Sequence, residues 1–267
     1  MATEGSYQGN LCARPPPPPI WSPPTLILGL DTATPIATVG VVQDRQVIAE
    51  VVERSEAGHA AGLPDLVARA LEKAGVVIEA LDGLAVSVGP GSFTGLRVGL
   101  CFAKGIAFAT GARIVAVRTL EALCATAPAD FNVVAAVTDA RRGETYAAVF
   151  ERGSRGLRRL MPEASLTPEE AAEAIAPHLA ERGACVIVGD GPERYPEAFA
   201  TLREQSVVIA PFSEIHPRGG AVALLGEARL ARGESDAANA LVPLYVRASA
   251  AERNRLKTSL TTENTVS

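Results

Sequence analysis

The sequence predicts an α/β protein of two related lobes. Strand hairpins feed strand–helix alternations, and this order of elements occurs twice. The second occurrence aligns on an aspartate. "NVVAAVTDARRGETYAAVF" reads strand, Asp139, polar turn, strand, as "TLILGLDTATPIATVGVV" reads strand, Asp31, turn, strand. The 267 residues suffice for a large core and one or two domains, and 48% hydrophobic with 21% charged residues is ordinary for a globular chain.

Order is expected to begin at residue 25. Residues 1–24 carry the run Pro15 to Pro19, which favours polyproline II and cannot join a sheet. They read as a disordered extension, without the apolar core of a signal peptide. "TLILGLDTA", "IATVGVVQ" and "QVIAEVVER" form an antiparallel meander, with a polar turn at Gln43 to Arg45. In "HAAGLPDLVARALEKAG", the residues Leu63, Leu66, Val67, Ala70, Leu71 and Ala74 recur at helical spacing. Pro64 suits the first turn of that helix and Gly75 ends it. "LDGLAVSVG" is a strand, and the motif after it opens a helix reaching about Thr110. "RIVAVR" is a strand followed by a short helix around Leu120 to Ala125.

The first lobe thus covers 25–130 and the second 131–250. The second continues with helix "TPEEAAEAIAPHL", N-capped by Thr167, then strand "ACVIVGD", helix "YPEAFATL", strand "SVVIA" and helix "GGAVALLGEARLARG". That final helix, 218–233, is a candidate to pack back on the first lobe. "LVPLYVR" is the last clear element, and 251–267 is a polar, flexible tail.

Net charge is −5 and the sequence pI about 5.4, so a strongly basic nucleic-acid face is not expected on this chain. Cys12, Cys101, Cys124 and Cys185 contain no C-x-x-C pair. They read as small buried hydrophobes in a reducing compartment. No run of 18 apolar residues is free of charge, so no membrane span is expected.

The segment "VSVGPGSFTGLRVGL" carries the strongest signal. A short apolar strand meets three glycines, Ser92 and Thr94, and then an apolar helix. The spacing fails the P-loop, because Lys104 lies nine residues past Gly95. It also fails the dinucleotide loop, because Gly95 comes one residue late. Two readings stay open: a tight strand-to-helix turn capped by Ser92 or Thr94, or an anion held at a helix N-terminus. Along the helix, Phe93, Leu96, Val98, Leu100, Cys101, Phe102, Ala103, Ile106, Ala107 and Phe108 cover nearly the whole circumference. Arg97 and Lys104 share one face. Such a helix is either central in its lobe or covered by another chain.

Catalytic constellations are sparse. His59 has Leu63, not a second His, at i+4. His178 reads as a helix C-terminal charge, and His216 lies in a loop beside Pro217. Asp31 and Asp139 each stand at a strand end, as catalytic carboxylates or as turn residues bonding their own backbone.

The blocks "LGLDTATPIATVGVV", "HAAGLPDLVARAL", "VSVGPGSFTGLRVGLCFAKGIA", "VTDARRGETYAAVF" and "VPLYVR" resemble, in order, the bacterial TsaB (YeaZ) family over roughly 25–250. The resemblance implies a two-lobed actin/Hsp70-like (ASKHA) fold. It also implies a non-catalytic cytoplasmic subunit that supports TsaD in forming N6-threonylcarbamoyladenosine beside the anticodon of tRNAs. The chain itself would carry no catalytic, cofactor or metal residues. ATP and metal would belong to the partner subunits, TsaD and the small ATPase TsaE, and tRNA would be met only through the complex. The partner surface would be the two N-terminal-lobe helices: Leu63, Leu66, Val67 and Ala70 on the first, Ser92, Phe93, Leu96, Arg97, Leu100, Phe102 and Lys104 on the second. A homodimer through the same surface is a second option. The competing class is a metal-independent enzyme, or a small-molecule phosphate-binding protein, of the same fold.

Overall fold

The computed structural model describes residues 26–54, 62–154, 156–179, 183–204 and 207–246. The Pro-rich extension 1–24, the tail 251–267 and His59 lie outside the described residues.

In the first lobe, β1 (Leu26–Asp31), β2 (Ile36–Gln43) and β3 (Gln46–Arg54) form the meander. Then come α1 (Leu63–Ala74), β4 (Gly83–Ser87), α2 (Phe93–Thr110), β5 (Arg113–Val117) and α3 (Thr119–Ala125). The sheet order is β3-β2-β1-β4-β5, antiparallel across the meander and parallel from β1 to β5. The second lobe runs β6 (Val133–Arg141), β7 (Glu144–Gly153), β8 (Gly156–Leu166), α4 (Pro168–Leu179), β9 (Cys185–Val188), α5 (Gly191–Arg194), α6 (Ala200–Glu204), β10 (Val208–Ile209) and α7 (Gly219–Ala231). Its order, read from the hairpin end, is β8-β7-β6-β9-β10 with the same strand directions. The two lobes therefore share one topology.

Local chemistry explains the element ends. Gly75 closes α1 in the left-handed conformation, φ 69°, its N–H reaching the last-turn carbonyls. Thr167 and Glu170 form a capping box at α4. The Glu170 amide donates to Thr167 Oγ1 at 3.2 Å, and the Thr167 amide to Glu170 Oε2 at 2.9 Å.

Three readings of the sequence need correction. Strand β8 went unread because "GLRRLMPEASL" does not alternate. It is an edge strand with Met161 its one buried side chain, it holds Pro162, and it pairs with β7 through register shifts. The expected helix "YPEAFATL" is broken: Tyr195, before Pro196, leaves the helical region at φ −130°, and α6 starts only at Ala200. Of "LVPLYVR", the described residues 241–246 are neither helix nor strand. Pro243 interrupts it, and the Leu244 amide bonds Val88 O at 2.6 Å beyond the end of β4.

The lobes exchange their last helices. α3 packs into the second lobe, where Leu120, Leu123 and Cys124 meet Val134, Ala148, Phe150 and Val186. α7 crosses to the first sheet, where Val222, Ala223 and Leu230 meet Ile27, Ala85 and Val115. The crossing is close because Gly40 has no side chain: a Cβ there would stand 2.1 Å from the Gly220 nitrogen. Glu50 accepts from the Gly220 amide at 2.9 Å and Glu227 from the Arg45 amide at 3.0 Å, tying the first and third turns of α7 to the β2–β3 hairpin.

Candidate partner interface

The glycine loop after β4 is closed upon the protein. The Gly89 amide donates to Thr119 Oγ1 at 3.1 Å, and the Ser92 amide to Ala33 O at 2.7 Å. Ser92 caps α2, its Oγ accepting from the Gly95 amide at 3.2 Å. A phosphate cradle needs amides converging on an unoccupied point; here the Gly89, Ser92 and Gly95 amides are each taken by a different protein oxygen. The glycines serve close approach. A Cβ on Gly91 would stand 2.5 Å from Ala33 O, and one on Gly95 2.0 Å from Thr32 O. Thr32 Oγ1 donates to Gly95 O at 2.7 Å, pinning α2 to the turn after β1. Of the two readings of this loop, the observed bonding is that of the tight turn.

α2 is 18 residues long and apolar enough by length and composition to cross a membrane, yet it carries Arg97 and Lys104 and lies on the first sheet with a third of it buried. The sheet-facing side of α2 contributes Leu96, Leu100, Ala103 and Ile106 to the core. All-round burial is therefore not what the helix has: its outer side is open. This corrects part of the expected surface. Leu63, Leu66, Val67 and Ala70 on α1, with Leu96 and Leu100 on α2, are core residues of their own lobe, none more than 3% exposed. The side chains on the outer stripe are Ser92, Phe93, Arg97 and Cys101, with Phe102 and Lys104 half-buried and Phe108 94% exposed. Cys101 is thus not the buried hydrophobe expected, whereas Cys124 and Cys185 are buried. Phe108 and Cys101 were missing from the expected surface. The spacing 93, 97, 101, 104/105, 108 marks their face, but helical period alone does not say which face is outward.

The chain's last described segment completes the surface. Lys104 Nζ donates to Leu241 O at 2.7 Å, holding 241–246 along α2, with Val242 69% and Tyr245 43% exposed. Arg97 lies over the Phe93 ring, its Cζ 3.6 Å from the centroid, and donates from Nε to Tyr245 Oη at 2.9 Å. The Phe93 and Tyr245 rings stack at 5.1 Å. Tyr245 belongs to this surface through the tertiary fold alone.

Asp31 and Asp139 take equivalent places. Asp31 Oδ1 accepts from the Ala33 amide at 3.0 Å, and Asp139 Oδ1 from the Arg141 amide at 2.9 Å, so each closes its own turn. In the second lobe the site is more polar. Tyr195 Oη also donates to Asp139 Oδ1 at 3.1 Å, and the Asp139 amide to Asp190 Oδ1 at 2.9 Å. Burial raises the Asp190 carboxyl above its usual range, the Asp139 charge adding to it. Burial and then the Asp139 charge raise the Tyr195 phenol. Asp190 belongs to Gly189-Asp190-Gly191, the counterpart of Gly89-Pro90-Gly91; the first glycines have φ 112° and 118°. The sequence reading missed this second loop, although "VGDG" and "VGPG" stand 100 residues apart. Among the described residues no three His, Cys, Asp or Glu side chains group as a metal-ligand set. His178 sits in the last turn of α4 and His216 is buried before α7.

Two lobes of one topology with exchanged terminal helices define an actin-like α/β protein. The solved component A of the Acidaminococcus fermentans (R)-2-hydroxyglutaryl-CoA dehydratase shares the fold, with TM-score 0.51 at 11% identity over 78% of this chain and 99% of that one. The family model described as TsaD, tRNA N6-adenosine threonylcarbamoyltransferase, matches residues 46–255. The Escherichia coli tRNA threonylcarbamoyladenosine biosynthesis protein TsaB is 30% identical over 229 residues, 83% of this chain and 94% of that protein. A solved Pseudomonas aeruginosa protein, described as similar to the peptidase YeaZ, superposes with TM-score 0.73 at 29% identity, over 84% of this chain and all of that one. The chain belongs to the TsaB (YeaZ) family. An uncharacterized Mycobacterium tuberculosis protein is 39% identical over 131 residues, 48% of this chain; the match spans about three-fifths, 61%, of that relative's length.

Proposed function

We propose that this chain is a non-catalytic subunit that docks a TsaD-like transferase and supports formation of N6-threonylcarbamoyladenosine in tRNA. The observation that carries it is the open apolar stripe of α2, from Phe93 to Phe108, on a chain of this family. Phe93, Phe108, Val242 and Tyr245 are all exposed large hydrophobics on α2 and the segment held along it, and apolar exposure grouped in this way supports a protein contact. The engaged amides of the glycine loop support the companion reading that no nucleotide is held there. ATP and metal then belong to the TsaD-like and TsaE-like partners, and tRNA is met through the cytoplasmic complex, in keeping with the chain's net charge of −5. The chain alone is expected to transfer no threonylcarbamoyl group.

The test is complex formation with a TsaD-type protein, measured by titration calorimetry. Burying Phe108 contributes about 2 kcal/mol. Phe108→Glu also strands a charge in the contact, and the two together should weaken binding by roughly 150-fold or more. Because Phe108 touches little of its own lobe, the variant should keep the wild-type melting temperature. A folded Phe108→Glu chain with unchanged affinity removes this helix from the interface. Self-association lost in the same variant, with no binding to the transferase, makes the surface a homodimer contact instead.

A further inference from the structure

We infer that Arg97, held between Phe93 and Tyr245, is a preorganised receptor for a carboxylate of the partner subunit, set at the Phe93 end of the α2 stripe; this rests on the docking role proposed above. An exposed arginine normally pays rotamer entropy to be fixed in one geometry. Here that ordering is already made. The guanidinium lies on the Phe93 ring at 3.6 Å, and its Nε–H is taken by Tyr245 Oη at 2.9 Å. The Tyr245 ring in turn stacks on Phe93 at 5.1 Å. With Nε engaged, the two terminal amino groups form the free fork, the geometry that binds a carboxylate bidentately. Among the described residues no acidic side chain pairs with Arg97. The other cation of this helix, Lys104, is turned inward to Leu241 O. Arg97 is therefore the cation of α2 that faces outward.

The surroundings select a protein carboxylate over a nucleic-acid phosphate. The same surface continues through Cys101, Val242 and Phe108, apolar or weakly polar groups on an acidic chain, with no further outward cation on α2 to track a backbone. The occupant is a TsaD-like chain: the transferase family model itself matches residues 46–255, which include α1 and α2, so such a partner carries a related lobe. Related lobes meeting through related helices set apolar stripe against apolar stripe, and a buried carboxylate opposite Arg97 would fix their register.

The test compares Arg97→Ala, Arg97→Lys and Tyr245→Phe for affinity to a TsaD-type subunit at two salt concentrations, with Phe108→Glu as a second probe. The expected result is a loss of roughly 30-fold or more for Arg97→Ala. Arg97→Lys should recover only part of it, because an ammonium lacks the fork. Tyr245→Phe should weaken binding several-fold through the lost Nε anchor, and the salt dependence of affinity should be shallower in Arg97→Ala than in wild type. Folded Arg97 variants that bind within a factor of two of wild type, while Phe108→Glu does not bind, overturn this inference and leave the docking role standing. If none of the variants changes affinity, both fall. Normal partner binding combined with loss of tRNA binding by the complex also overturns it, and makes the platform a nucleic-acid contact.

Discussion

His216 and Glu227 are buried ionisable groups, and each gives stability a pH dependence of definite sign. Burial, with Arg218 next, lowers the His216 imidazole below its ordinary value near 6.5; Glu50 opposes this and Arg54 adds to it. The unfolded chain then binds more protons than the folded one between those values. The contribution is present above about pH 6.5 and is lost as pH falls through the lowered folded value. His216→Phe should remove that loss: its melting temperature should fall less than wild type between neutral pH and pH 5, and parallel curves would refute it. For Glu227 the direction reverses. Burial raises its carboxyl, outweighing the Arg45 amide bond. Stability is present below the ordinary carboxylate value and declines as pH rises through the raised one. Glu227→Gln, which keeps an acceptor for the Arg45 amide, should melt higher than wild type at pH 7 and alike at pH 4. Thermal melts at the two values decide it.

At the scale of the element, α2 is the informative case. Its start is positioned by backbone contact with the turn after β1, where Gly95 meets Thr32 O. Gly95→Ala would raise helix propensity in an isolated peptide. In the protein it forces the helix away from Thr32 and should lower stability by about 1–3 kcal/mol, read by denaturant unfolding. An unchanged midpoint would show that the loop yields freely. The reach of α2 to about Thr110 and a cap at Ser92 or Thr94 were legible in the sequence, because caps act locally; the structure takes Ser92 and ends the helix on Gly111 at φ 75°. Which of its apolar residues face the core was not legible. Leu96 and Phe108 differ in exposure by 94% although both are apolar, because only the docked sheet distinguishes the sides. β8 was illegible for a related reason: an edge strand's pattern is set by what covers it.

At the scale of the molecule, the exchanged helices α3 and α7 make the two lobes one cooperative unit. The Arg118–Glu163 pair, 2.8 Å across the lobes beside α3, is a smaller tie. Gly40→Ala drives a methyl into the backbone of α7 and should destabilise both lobes together. Hydrogen exchange checks this. Amides of β6 and β9 should lose protection along with those of β1 and β4, and a change confined to the first lobe would separate the units.

By itself the sequence determined the α/β class, the duplicated lobe, most element ends and the family, because those rest on periodicity, glycine and proline placement and ordered motifs along the chain. The tertiary structure alone decided three things: that the Gly89 and Ser92 amides of the glycine loop are bonded within the protein, that six of the eleven expected interface residues are core, and that Tyr245 reaches across the fold to hold Arg97. The physical reason is common to all three. Burial and hydrogen-bond partnership are relations between segments distant in the chain, 148 positions apart for Arg97 and Tyr245, and no local pattern encodes which segment a side chain will meet.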